Sequence, residues 1–196
     1  MNRNAYLLTV DPLSKRAIFS KNILEQIGFN VILVTALTNS NKVLSNKLSM
    51  LHIYEIISKK NDSWSYVFED DINLLEKISI DEIIQYENIS EMFFYLGCCR
   101  YLDSINNSNY VINNYPVYTV QYGVRGLHSI GISKQCATQL IEFSKIYENE
   151  VYMDVILEHF CNKCPANVVR YDLESYIEGH RGIVFQDRHK FPTSIF

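Results

Sequence analysis

The sequence predicts an α/β fold built on one mostly parallel sheet. Short apolar runs of strand length alternate with runs of helical period, and no repeat or low-complexity linker interrupts them. The 196 residues, 47% of them hydrophobic, suffice for one core, so a single domain over 1–196 is expected.

The elements follow in order. Residues 5–10, Ala-Tyr-Leu-Leu-Thr-Val, read as a buried strand closed by Asp11-Pro12. Lys15 to Ile27 reads as a helix with Ala17, Ile18, Ile23, Leu24 and Ile27 on one side, stopped by Gly28. Phe29 to Thr35 is a second strand. Leu44 to Ser58 has helical period and contains neither Pro nor Gly. Trp64 to Phe68 is a third strand and runs into three acids. Asp81 to Tyr86 reads as a short helix and residues 92–97 as a buried strand; the Asn-rich stretch 106–114 reads as a surface loop. Strands are expected at 117–121 and 128–132. Ser133 then caps a helix to about Lys145, Val151 to Cys161 is helical, and 168–172 is a last strand before an irregular tail from Gly179.

Composition narrows the function. Eighteen Lys and Arg against 22 Asp and Glu leave a net charge of −4, which excludes a surface built to neutralise many phosphates; no nucleic-acid partner is expected. No apolar run is long enough for a signal peptide or a membrane span, so a cytoplasmic location is expected. The richness in Ile, Asn, Lys and Tyr fits an AT-rich genome, bacterial or viral, a viral protein then acting in the host cytoplasm. Cys161-Asn162-Lys163-Cys164 lacks the second ligand pair of a zinc site and precedes Pro165, so these are read as reduced structural thiols.

The most informative feature is Phe68-Glu69-Asp70-Asp71-Ile72. Three adjacent carboxylates repel one another, and a strand end holding them is costly unless a cation or solvent compensates. Side chains alternate along a strand, so Glu69 and Asp71 can face the same way. A hard divalent cation takes oxygen ligands and shares its shell with substrate phosphates. Asp71 is the first candidate ligand, with Glu69 or Asp70 completing the site directly or through water; a solvated, inert acidic turn is the alternative.

With these residues in view, the sequence resembles glycosyltransferase family 25, the lipopolysaccharide and collagen galactosyltransferase group. The resemblance runs in order through nearly the whole chain. Leu7 to Asp11 with Lys15-Arg16 is similar to the family's first strand and its Arg-containing start. Leu44 to His52 resembles the helix usually read as "cALSHl", with Ser49-Met50 in place of Ser-His. Trp64 to Ile72 resembles "alilEDDv", Phe94 to Gly97 "iiyLG", and Gly126 to Ser133 "GtHaYiiS". Tyr152-Met153-Asp154 resembles the short aspartate motif, and Gly182 to Asp187 with Pro192 to Ile195 resembles the closing segment.

The resemblance implies a GT-A fold, a nucleotide-binding sheet flanked by helices with a DxD-type metal site for Mn²⁺ or Mg²⁺. It implies inverting transfer of a hexose, often galactose or glucose, from a UDP-sugar donor to a glycan or glycoprotein acceptor. Asp154 then becomes the expected base and Glu158, one helical turn on, its reserve. Arg16, Arg181 and Arg188 are candidates for the diphosphate, since a guanidinium fork suits phosphate oxygens. The latter two lie in a tail that could close as a lid. His180 or His189 is a candidate further metal ligand. His128 is a donor-site partner or an ordinary strand histidine. Gln186 and Ser194 match the closing motif. Acceptor contacts are expected from 36–47 and 100–121. Two other readings compete: a non-catalytic nucleotide-sugar or glycan-binding module of the same fold, and a nucleotidyltransferase. The second would want a Gly-rich phosphate loop, whereas residues 11–20 hold no glycine. The sequence leaves the oligomeric state open.

Overall fold

The strand β1 (Arg3–Thr9) owes its apolar run to burial on both sides: Tyr6 and Leu8 join one core cluster, Ala5 and Leu7 the other. The computed structural model describes residues 3–100 and 105–192. Helix α1 (Lys15–Ile27) begins where the Ser14 hydroxyl accepts the Ala17 N–H, and ends at Gly28, whose φ of 114° suits a residue without a side chain. Strand β2 (Phe29–Thr35) then pairs in parallel with β1 along its whole length. Helix α2 (Lys42–Ser58) is capped by Asn41, and β3 (Trp64–Glu69) pairs in parallel with the other edge of β1.

Beyond β4 (Ile72–Leu74), α3 (Ile80–Ile89) starts at the Ser79 cap with Asp81 and Glu82 in its first turn, where the helix dipole favours acids. Strands β5 (Phe93–Tyr95), β6 (Gly97–Arg100), β7 (Ile105–Ile112), β8 (Tyr115–Val120), β9 (Val124–Arg125) and β10 (Ser129–Ser133) follow, then α4 (Lys134–Ile146) and α5 (Met153–Cys161). Three short strands close the described chain: β11 (Ala166–Val168), β12 (His180–Gly182) and β13 (Val184–Gln186).

Eight strands form one sheet in the order β2-β1-β3-β10-β5-β11-β8-β7. Helices α2, α4 and α5 cover one face through Met50, Ile53, Leu140, Phe143, Ile156 and Phe160. Helices α1 and α3 cover the other through Leu24, Ile27, Ile83 and Tyr86. The α/β architecture and the main helices stand as expected. The sheet is mixed rather than mostly parallel: β2, β1 and β3 are parallel to one another, but β10 runs antiparallel between β3 and β5, and β8 pairs antiparallel with β11 and β7.

Three segments differ from expectation. The strand expected at 168–172 is β11 at Ala166–Val168, and the chain leaves the sheet in turns after Val168. The Asn-rich stretch is strand β7, joined to β8 by Asn113 and Asn114 at φ of 48° and 69°. Asparagine tolerates that left-handed conformation, so the residues that suggested a loop make a tight hairpin. The tail is likewise ordered into strands, β12 on β6 and β13 on β4. Their three-residue length gives no periodic signal. Among the described residues no helix is long and apolar enough to cross a membrane, and none of the five cysteines is in a disulfide.

Candidate active site

The order β2-β1-β3 sets the carboxyl ends of three parallel strands side by side, where ligands of open α/β sheets bind. A cavity of about 410 Å³ opens there. Leu8, Thr9 and Val10 from the end of β1 and Ala36 to Asn39 beyond β2 form its apolar side; Arg16, Glu69, Asp70 and Asp71 form its charged floor.

The three acids have different duties. Asp70 is committed to structure: its carboxylate accepts from Thr9 Oγ1 at 2.5 Å and Arg16 Nε at 2.7 Å, while its carbonyl accepts from Ser20 Oγ at 2.8 Å. These bonds tie α1 to the end of β3. Glu69 is gripped from both sides, accepting from Asn46 Nδ2 at 3.0 Å and from Gln186 Nε2 at 2.9 Å. Burial first, and the charge of Asp71 next, push its carboxyl up to about 8. Among the described residues Asp71 Oδ1 is buried with no hydrogen-bond partner, and its other oxygen lies 3.8 Å from Arg16 Nη2. Burial raises its proton affinity, against the pull of Arg16.

This floor suits a divalent cation in one respect: Asp71 carries an orphaned oxygen in a buried acid cluster that Arg16 offsets only in part. It is not a complete cage. Among the described residues no group of three or more His, Cys, Asp or Glu side chains could hold a metal ion. A cation at Asp71 would complete its shell with water and the oxygens of a bound phosphate group.

A second cavity, about 190 Å³, adjoins the first and shares Asn46, Glu69 and Gln186 with it. Its further lining includes Cys99, Arg125, His128, Tyr152, Asp154 and Arg188. Asp154 sits in the first turn of α5, where its Oδ1 accepts the Val155 N–H at 2.9 Å. Burial raises its proton affinity and Arg125 draws it back. His128 immediately precedes β10; its carbonyl accepts the Glu69 N–H at 3.1 Å, which sets it beside the acid strand. Its ring is buried and its pKa is pushed down to about 3 by burial and then by His180, so it is neutral. Cys99 is pushed up to about 12 by burial and is a neutral thiol.

The structure thus gathers Arg16, Glu69, Asp70, Asp71 and Gln186 about one cavity, and Glu69, His128, Asp154, Gln186 and Arg188 about its neighbour. Other candidates lie apart. Glu158 accepts Arg125 Nε at 2.8 Å and lines neither cavity. Arg181, held in β12, pairs with Glu174 at 2.9 Å. His180 is turned toward Cys99, with Nε2 2.8 Å from the sulfur, and stacks on His128 with ring centroids 5.6 Å apart. His189 is exposed, its ring centroid 4.2 Å from that of Tyr176. Ser194 lies outside the described residues. Of the expected acceptor segments, Ala36 to Asn39 with Lys42, Ser45 and Asn46 line the first cavity. The described part of 100–121 is mainly the β7-β8 hairpin at the sheet edge and lines neither cavity.

Sequence reasoning gave no individual role to Thr9, Asn46, Lys47 or Tyr152, although Asn46 and Lys47 lie in the expected segment 36–47. Asn46 and Thr9 matter through partners remote in the chain. Lys47 is buried and its ammonium binds the Tyr147, Glu148 and Glu150 carbonyls, which anchors the segment leading to Asp154. A lysine in a helix reads as solvated, so only the fold reveals that duty.

No family model matches the chain and no curated protein matches it, so the resemblance to family 25 rests on its motifs. Among solved structures, the chain is similar to the CTP:phosphocholine cytidylyltransferase of Streptococcus pneumoniae. The match covers 95% of this chain and 93% of that one, at 14% identity and a TM-score of 0.50. It is also similar to a UDP-glucose pyrophosphorylase complexed with UDP-glucose, over 85% of this chain and 89% of that one, at 9% identity and a TM-score of 0.50. At such identities the likeness is one of fold: a Rossmann-like α/β sheet flanked by helices.

Proposed function

We propose that the chain is a metal-dependent, inverting glycosyltransferase that moves a hexose from a UDP-sugar to a hydroxyl of a glycan or glycoprotein. The observation that carries this reading is the pair of adjoining cavities sharing a wall at Glu69, Asn46 and Gln186. The first joins apolar strand ends, fit for a nucleoside, to an acidic floor that a divalent cation would make fit for a diphosphate. The second adds Asp154, a carboxyl whose raised proton affinity suits a general base.

In this reading the donor lies with its nucleoside against Leu8, Val10, Ala36 and Leu37 and its hexose toward Asp154. The acceptor oxygen forms a bond to the anomeric carbon as the bond to the diphosphate oxygen breaks, and the electron pair leaves with UDP. The hydroxyl proton passes to the Asp154 carboxylate. A divalent cation, Mn²⁺ or Mg²⁺, held at Asp71 would neutralise charge on the leaving diphosphate. Arg188, exposed at the rim and donating to Gln186 Oε1 at 3.2 Å, adds positive charge on the donor side. The five thiols outside any disulfide support a reducing compartment such as the cytoplasm.

The names of the structural neighbours favour a second reading, nucleotidyl transfer to a sugar phosphate or phosphocholine. Against it, the turn after β1 is Asp11-Pro12-Leu13-Ser14, without glycine, and Arg16 beside it is bound to Asp70. The test is to incubate the protein with Mn²⁺ and a panel of UDP-, GDP- and CMP-sugars, alongside nucleoside triphosphates with sugar phosphates. Free UDP released from one donor, lost with chelator and in Asp71→Asn, supports the proposal. Pyrophosphate released from a triphosphate establishes the nucleotidyltransferase. Silence in both, with no metal-dependent nucleotide binding by calorimetry, leaves a non-catalytic module.

A further inference from the structure

The transfer chemistry leaves Tyr152 of the second cavity without a task. Tyr152 lines it two residues before Asp154, and it is 51% exposed. It occupies the N-cap of α5, a position where Ser, Thr, Asp or Asn would accept a backbone N–H, and it makes no side-chain capping bond. Among the described residues its ring stacks on no other ring and its hydroxyl makes no hydrogen bond. A large ring left in water and a helix start left without its usual cap both lower stability, the pattern expected where a side chain serves a ligand.

We propose that Tyr152 is the platform on which the acceptor stacks, and that the acceptor is therefore a sugar ring rather than a hydroxylated amino-acid side chain. This rests on the transferase reading above and names its acceptor class. A pyranose carries C–H groups on one face and hydroxyls around its rim. Laid on an aromatic ring, it buries the C–H face while its hydroxyls stay free for polar partners. The rest of the cavity supplies those partners: Asn46, Asp154 and Arg188, with Arg125 braced by Glu158. At about 190 Å³ the cavity suits one ring and not an extended peptide. Tyr152 and Asp154 line the same cavity, so a ring on the first shares that space with the second.

The experiment compares Tyr152→Ala and Tyr152→Phe with the parent chain in two assays. In the first, Mn²⁺-dependent UDP release is measured with and without methyl pyranosides as acceptors. The expected result is an acceptor KM raised about tenfold or more in Tyr152→Ala and near parental in Tyr152→Phe. The second is saturation-transfer NMR of the same methyl pyranosides on the protein without donor. It should show ring C–H contact in the parent and Tyr152→Phe, lost in Tyr152→Ala. This readout stands even if no donor is turned over, so failure of the transferase reading and failure of the platform are separable. Pyranoside contact unchanged in Tyr152→Ala, or absent from the parent, overturns the platform. So does transfer to a hydroxylated peptide with no response to any sugar.

Discussion

Replacing Glu69 by Gln tests whether the acid cluster is held under charge strain. The fold raises the Glu69 carboxyl from 4.5 to about 8. A group whose folded pKa lies above its unfolded one contributes stability that is full below the unfolded value and is lost as pH rises to the folded one. Here that window runs from about 4.5 to about 8. At about 1.36 kcal/mol per pH step, keeping Glu69 charged above pH 8 costs on the order of 5 kcal/mol at the ceiling. Glu69 is half-buried and opens on two cavities, so water screens the charge and lowers the cost to about 2 kcal/mol. For a chain of this size that is about 4–8 °C in Tm. Glutamine keeps one oxygen for Asn46, and Gln186 can turn its amide to meet the new donor. The measurement is Tm against pH from 5 to 8.5, metal-free, for parent and Glu69→Gln. The two curves should meet near pH 5 and diverge upward, the variant melting several degrees higher at pH 8.5. Parallel curves would refute the reasoning, because they would mean that the site already neutralises the charge.

Three further outcomes follow from the geometry. Asp154→Asn keeps the helix start but removes the proton acceptor, so transfer should fall about 10²–10⁴-fold while calorimetry shows unchanged nucleotide binding. Lys47→Met fills the space but leaves the Tyr147, Glu148 and Glu150 carbonyls without their ammonium; denaturant unfolding should show a loss of about 2–4 kcal/mol. Gly131 faces Phe94 so closely that an added Cβ would come within 2.5 Å of its ring. Gly131→Ala should therefore cost about 1–3 kcal/mol by thermal denaturation.

Most of the fold was legible where local chemistry and tertiary context agree. Ser14, Asn41, Ser79 and Ser133 each cap the helix that follows, and Gly28 ends α1 in the left-handed conformation its sequence position suggests. The strands β1, β2 and β3 are continuous apolar runs because helices cover both faces of the sheet. Strand direction was not legible. Nothing within Ser129–Ser133 tells it to run antiparallel between β3 and β5; that follows from where the connections before and after it must reach. The Asn-rich hairpin misled for a different reason: edge strands carry polar residues, and asparagine serves the turn as readily as a loop.

The site divides in the same way. Adjacent acids at a strand end announce themselves, and the structure puts Glu69, Asp70 and Asp71 on one cavity floor. What sequence cannot give is their division of labour, because the distinguishing partners are remote in the chain: Thr9 and Arg16 for Asp70, Asn46 and Gln186 for Glu69, none for Asp71 Oδ1. Three adjacent acids become a structural tie, a gripped divider between two cavities and a side chain with an unpartnered oxygen. Gln186 lines both cavities and grips Glu69 between them. It arrives from the last described strand, and β13 must pair with β4 for it to reach Glu69. The tail looked irregular because its strands are three residues long, yet its position is fixed by the acids: the Asp187 N–H donates to the Asp71 carbonyl at 2.8 Å. Of the tail's two arginines, Arg188 lines the second cavity, while Arg181, held by Glu174 in β12, stays with the frame.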